Sequence, residues 1–218
     1  NITIGTMYTK GYDYDREKES HMMKNSEWGA VAYLTESKYG RNGTAVTRNS
    51  NSNYYTGGTS GATALTNPLQ STTGNEYGIY DTVGGAYEYV AGYIADSSQS
   101  YGNSFASTDN TTNNKTDSTK YATVYRMSTS NSNNENYKEN INKIFGDGTI
   151  ETSTSGTGTN SWHSVSSYFV GINSSNNYPF FWRGGNVVST SAGSFSFYGS
   201  HGSSDYDYFG FRVCLAVK

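Results

Sequence analysis

The sequence is poorest in cysteine. One residue, Cys214, in 218 excludes an intrachain disulfide framework and any metal site built from several thiolates. Proline is nearly as scarce, with two residues, and charged side chains make up only 15% of the chain, with a net charge of −3. No cluster of Lys or Arg occurs along it, which argues against nucleic acid or an anionic membrane surface as a partner. Apolar runs long enough to cross a bilayer are missing too, so no membrane insertion by this segment is expected. The chain starts with neither Met nor a signal-like apolar stretch, and reads as a processed ectodomain, extracellular or displayed on a cell surface or a phage particle.

What is abundant is aromatic and small. Tyr occurs 21 times and Gly 25 times, and 15% of the residues are aromatic. Disordered chains are poor in aromatics and rich in charge, so this composition predicts a folded, loop-rich protein containing β-structure. The length suffices for one large domain with a sizeable core.

Along the chain, "SEWGAVAYLTESKYG" (26–40) carries Trp28, Val31, Ala32, Leu34 and Tyr39 at largely helical spacing, with Ser26 as N-cap and Gly40 as the stop. A second helix is expected in "NENYKENINKIFGDG" (134–148), from Tyr137, Ile141, Ile144 and Phe145. The acidic stretch 13–19 lacks the glycine and closing Glu of a calcium loop and reads as a solvated segment. Core anchors are expected at Ile79, Tyr80, Val83, Tyr87, Tyr89 and Val90 around a Gly84-Gly85 turn. Strands are expected in "YATVYRM" (121–127), in "YPFFWRGG" (178–185) and in Phe211–Val217, where Phe211, Val213, Leu215 and Val217 would share a buried face. Two helices, short strands and long loops predict an α+β fold.

Three segments together resemble one family. "YGIYDTVGGAYEYVAG" is similar to the "GLYDMxGNVWEW" element of the formylglycine-generating-enzyme branch of the C-type lectin fold, with Tyr87, Glu88 and Tyr89 at its Trp-Glu-Trp. "FFWRGGN" resembles its "RGGS" element and "FGFRVCL" its terminal "GFR" strand. The resemblance implies one C-type-lectin-like domain over 1–218, with a polar insert at about 97–135. Arg183 and Arg212, each in an apolar strand context, are expected to be framework ion pairs with Glu88 or Asp81 as partner.

Within that fold, the chain resembles the variable proteins of diversity-generating retroelements and pilin-like surface proteins of gut bacteria. In such proteins error-prone copying at adenines lets only residues with NNC codons appear at diversified sites. From Asn186 to Phe209 none of Lys, Glu, Gln, Met or Trp occurs, as that scheme requires. The Tyr, Gly and Ser of this stretch also form the mixture antibody paratopes use. The resemblance therefore implies a variable region at 186–209, with ligand-binding positions Asn186, Val187, Val188, Ser196, Tyr198, Ser200, His201, Asp205, Tyr206, Asp207, Tyr208 and Phe209. Arg183, Gly184, Gly185, Ala192, Gly193, Phe195, Phe211, Arg212 and Val213 would be scaffold. The implied partner is an unidentified protein ligand on another cell or surface.

Two alternatives stand beside this reading. One is a fixed pilin-like adhesin or structural surface protein whose tyrosines bury one another. The other is a formylglycine-generating-type oxidase, whose pair of cysteines this chain cannot supply. His21, His163 and His201 share no ligand spacing, and the tripeptides of calcium-dependent lectins are absent. No catalytic residue, metal site or cofactor is expected, and Cys214 is expected to pack in the core.

Overall fold

The computed structural model describes residues 2–50, 63–95, 105, 118, 120–126, 144–149, 167–168, 179–190, 192–202 and 207–217. They form a mixed α+β structure of two α-helices and eight strands. In chain order these are α1 (Ile4–Asp13), β1 (His21–Met22), α2 (Asn25–Glu36), β2 (Tyr87–Ala95), β3 (Thr123–Arg126), β4 (Ser167–Tyr168), β5 (Phe180–Arg183), β6 (Phe197–Ser200), β7 (Phe209–Phe211) and β8 (Val213–Cys214).

The central strand is β2, and its alternation explains the architecture. Tyr89, Ala91 and Tyr93 point to one face, Val90 and Ile94 to the other, and all five are buried. A strand that is apolar on both faces must be covered on both. On one side Trp28 and Ala32 of α2 join Val90, Ile94, Tyr125, Phe181, Phe195 and Phe197. On the other, Ile4, Met7 and Tyr8 of α1 join Tyr89, Tyr93, Phe105, Val124 and Phe180.

The main sheet has the order β3-β2-β5-β6-β4. β5 lies antiparallel on one edge of β2, while β3 and β7 share the opposite edge, both parallel to it, at 92–95 and 87–89. Between Val90 and Tyr93 the β2–β5 register shifts, and there the Ala91 amide donates to the Met23 carbonyl at 2.8 Å. That bond fixes the start of α2 against the sheet. A separate two-stranded sheet pairs β1 with β8, His21 opposite Cys214.

Helix α2 begins one residue before the expected N-cap, Ser26. Glu27 closes its first turn by accepting from the Lys24 amide at 2.8 Å. Its buried face is Asn25, Trp28, Gly29, Ala32 and Thr35, whereas Leu34 and Tyr39, expected inside, are exposed. Helix α1 was not expected. Ile4, Met7, Tyr8 and Gly11, spaced i, i+3, i+4 and i+7, give it one buried stripe, and Thr3 caps it by accepting from the Thr6 amide.

Several sequence expectations need correction. Phe211–Val217 is not one buried strand: β7 and β8 belong to different sheets, and Leu215 and Val217 are exposed, the latter at 99%. Ile79, expected as a core anchor, is exposed. Within the expected polar insert at about 97–135, β3 lies in the expected strand 121–127, and Phe105, fully buried, stacks on Tyr8 at 4.3 Å between centroids. The second helix falls largely outside the described residues, and Ile144–Gly148, its described part, is turn and bend. Gly84 and Gly85 do form the expected turn, with φ of 79° and 70°, and the Gly84 amide reaches the Gly184 carbonyl at 3.0 Å.

Candidate ligand-binding surface

The three segments that carry the family resemblance are neighbours in space. Glu88 of β2 lies opposite Arg183 of β5, and Tyr87 opposite Phe209 of β7. Arg212, just after β7, reaches Glu88 with both nitrogens of its fork, Nε to Oε2 at 2.5 Å and Nη2 to Oε1 at 2.6 Å. Its Nη2 also donates to the Tyr80 carbonyl at 2.7 Å. Of the two expected arginine pairs, Arg212–Glu88 is thus in place. Asp81 accepts from Asn49 Nδ2 at 3.0 Å.

Arg183 is fully buried between the rings of Trp28 and Phe197, and its Nη2 donates to the Asp147 carbonyl at 3.3 Å. The Asp147 carboxylate accepts from the Tyr125 hydroxyl and from the Thr149 amide and hydroxyl. Asn25 Nδ2 in turn donates to the Tyr125 hydroxyl. Charge and polarity at this depth are therefore spent on joining α2, β3, β5 and the 144–149 turn.

The face of the sheet that α1 covers continues past the helix as a row of partly exposed rings. Trp182 of β5 is its centre. It stacks on Tyr87 at 4.8 Å, on Phe209 at 4.9 Å and on Tyr198 of β6 at 5.4 Å between centroids. Tyr208 extends the row, 4.9 Å from Phe209 and 6.1 Å from Tyr87. All five residues are half-buried. Strand pairing dictates this grouping, because Trp182 lies opposite both Tyr89 and Tyr198, and directly opposed side chains sit about 5 Å apart. Burial raises the Tyr198 hydroxyl above its usual range, with Tyr87 acting in the same direction; it offers a neutral polar tip on an apolar ring.

The expected ligand-binding residues divide into two groups. Tyr198, Tyr208 and Phe209 lie in the aromatic row; Val188, His201 and Asp207 are exposed, and Val187 is half-buried. Asn186, Ser196 and Ser200 are buried and serve the framework as it stands. Asn186 Oδ1 accepts from the Ser189 hydroxyl at 2.8 Å and the Val188 amide at 3.2 Å, closing the turn that holds Val188 outward. Ser200 Oγ is 2.6 Å from the Tyr89 hydroxyl. Asp205 and Tyr206 lie outside the described residues. Sequence reasoning placed Tyr87 in the core and gave Trp182 no role; no alternation in 180–183 singles Trp182 out, because Phe180 on the same face is buried.

No family model matches the sequence, and neither a curated protein nor a solved structure matches it.

Proposed function

We propose that this chain is a non-enzymatic binding domain with a C-type lectin fold, displayed at a cell surface or on a phage particle. Its ligand is a protein, held by the aromatic row and the variable positions around it, with segment 186–209 diversified by a retroelement. One observation carries the reading. Tyr87, Trp182, Tyr198, Tyr208 and Phe209 present one partly exposed, stacked surface, and three of the five come from the stretch whose composition fits NNC codons. Aromatic anchors ringed by adaptable Ser, Asn and Gly are what protein-binding hot spots use. The adjacency of the three family-like segments on β2, β5 and β7–β8 further supports the fold assignment.

The test is to sequence the encoding DNA beyond the end of the gene. A near-copy of the codons for about residues 183–217, differing where the copy has adenine and accompanied by a reverse-transcriptase gene, is the expected result. Its absence would leave a fixed adhesin or structural surface protein.

A further inference from the structure

A second constellation lies away from the aromatic row, where the two-stranded sheet meets the first turn of α2. His21 and Cys214 are cross-strand partners. Glu27 reaches back toward them from α2, anchored by the Lys24 amide on its Oε2. One donor atom from each of His21, Glu27 and Cys214 lies within 4.8 Å of the other two. The cluster is open to solvent at one side, with side-chain exposures of 14% for His21 and 32% for Glu27.

The hydrogen-bond directions ask for a proton or a metal ion between His21 and Glu27. His21 Nδ1 is 2.9 Å from the Glu19 carbonyl, which can only accept, so Nδ1 carries the hydrogen. In the neutral imidazole the Nε2 lone pair then faces the Glu27 carboxylate, 3.0 Å from Oε1 and 3.3 Å from Oε2. Two electron pairs at that distance repel unless a proton or a metal ion sits between them. A proton needs only these two partners, whereas the thiol of Cys214 adds a third, soft donor that a metal ion would use.

We propose that His21, Glu27 and Cys214 bind a zinc ion through Nε2, a carboxylate oxygen and Sγ, leaving the fourth position to solvent. The donor set of nitrogen, oxygen and sulfur suits zinc and does not suit calcium or magnesium, which take oxygen ligands. Tetrahedral zinc needs a nitrogen–oxygen separation of about 3.3 Å and a sulfur about 3.6 Å from each, from bond lengths near 2.0–2.3 Å, so the nitrogen–oxygen pair, 3.0 Å apart, opens slightly, and Sγ, within 4.8 Å of both, moves inward on binding. The bond from Nδ1 to a backbone carbonyl is the outer support that metal-bound histidines use to fix ring and tautomer. Without the ion, burial pushes the Cys214 thiol up to about 12, with the Glu27 carboxylate acting in the same direction; zinc replaces that proton. The Lys24 ammonium, 3.7 Å from Glu27 Oε1, weakens the site unless its flexible stem swings aside. The ion would tie β1, α2 and β8 together, clamping the C-terminal strand to the N-terminal part of the fold.

The test uses tag-free full chain stripped with a chelator, then titrated with cobalt(II) and zinc. One cobalt per chain, with a thiolate-to-metal charge-transfer band that zinc abolishes, is expected. Because Cys214 is the single cysteine, that band reports this site alone. Zinc should also protect Cys214 from a thiol reagent, and Glu27→Gln and His21→Gln should each weaken binding by about tenfold or more. Absence of the band in the wild-type chain would overturn the proposal whether or not the variants fold. So would binding unchanged in both variants, or a thiol equally reactive with and without zinc.

Discussion

Arg212 holds both oxygens of Glu88 in a forked pair that joins the end of β7 to the start of β2. The Glu88 side chain is 13% exposed and that of Arg212 24%. Removing the arginine leaves Glu88 buried without its partner, so the group must either take up a proton or hold its charge away from water. Arg212→Ala should therefore cost about 3 kcal/mol of unfolding free energy, read from urea denaturation at neutral pH. A loss below about 1 kcal/mol would mean that solvent already screens the pair.

The same pair predicts a pH dependence. Burial pushes the Glu88 carboxyl up to about 7 against the pull of the Arg212 guanidinium, with Asp81 adding to the rise. A folded value above the unfolded one means the native state binds more protons between them. The stability this group contributes is then full below about 4.5 and is lost as pH rises through about 7. Wild type should lose ground relative to Glu88→Gln over that window, by on the order of 3 kcal/mol. Parallel curves of urea midpoint against pH would contradict the shift.

Gly29 shows how close α2 comes to the 144–149 turn. A Cβ there would lie 2.2 Å from the Asp147 carbonyl carbon and 2.3 Å from its Cα. Alanine in a helix interior gains about 1 kcal/mol over glycine, but overlap with backbone cannot be relieved by a rotamer change. Gly29→Ala should destabilise by about 2 kcal/mol or more, seen as a lower thermal midpoint. A gain in stability would show that the turn can retreat.

Much of this framework was legible because it follows apolar period. β3, β5 and most of α2 stand where apolar spacing put them, and Tyr89 and Val90, expected as core anchors, are buried in β2. Helix α1 was hidden because Gly5, Thr6 and Thr9 are weak helix formers, and only tertiary burial of Ile4, Met7 and Tyr8 selects the helix. The C-terminal strand misled for the opposite reason. Its alternation is regular, but Arg212 turns out of it toward Glu88 while its carbonyl takes the Met23 amide at 2.9 Å, so β7 and β8 part company. The cluster of His21, Glu27 and Cys214 has no local spacing to read, because cross-strand pairing and a helix cap assemble it.

Ser200 separates framework from display within the segment 186–209. Its hydroxyl meets that of Tyr89 in the core at 2.6 Å and accepts from the Gly202 amide at 3.3 Å. Burial already lifts the Tyr89 hydroxyl to about 12, so it stays neutral and needs its partner. Ser200→Ala should cost about 1–2 kcal/mol, measured by chemical denaturation. A neutral outcome would mean that water or the backbone replaces the lost bond.

Tolerance to randomisation offers a test of the binding surface that needs no ligand. Val188, His201 and Asp207 are exposed, and Tyr198 and Tyr208 touch the aromatic row from its rim; a surface substitution typically changes stability by about 0.5 kcal/mol or less. Asn186, Ser196 and Ser200 are buried and polar, and there a larger side chain has no free volume while a smaller one strands a hydrogen bond. Two displayed libraries, one randomised at the first five positions and one at the last three, can be sorted by protease resistance. Most members of the first should survive and few of the second. Equal survival would remove the division between scaffold and display on which the binding assignment rests, and collapse of the first library would make the tyrosines core residues, as in a purely structural surface protein.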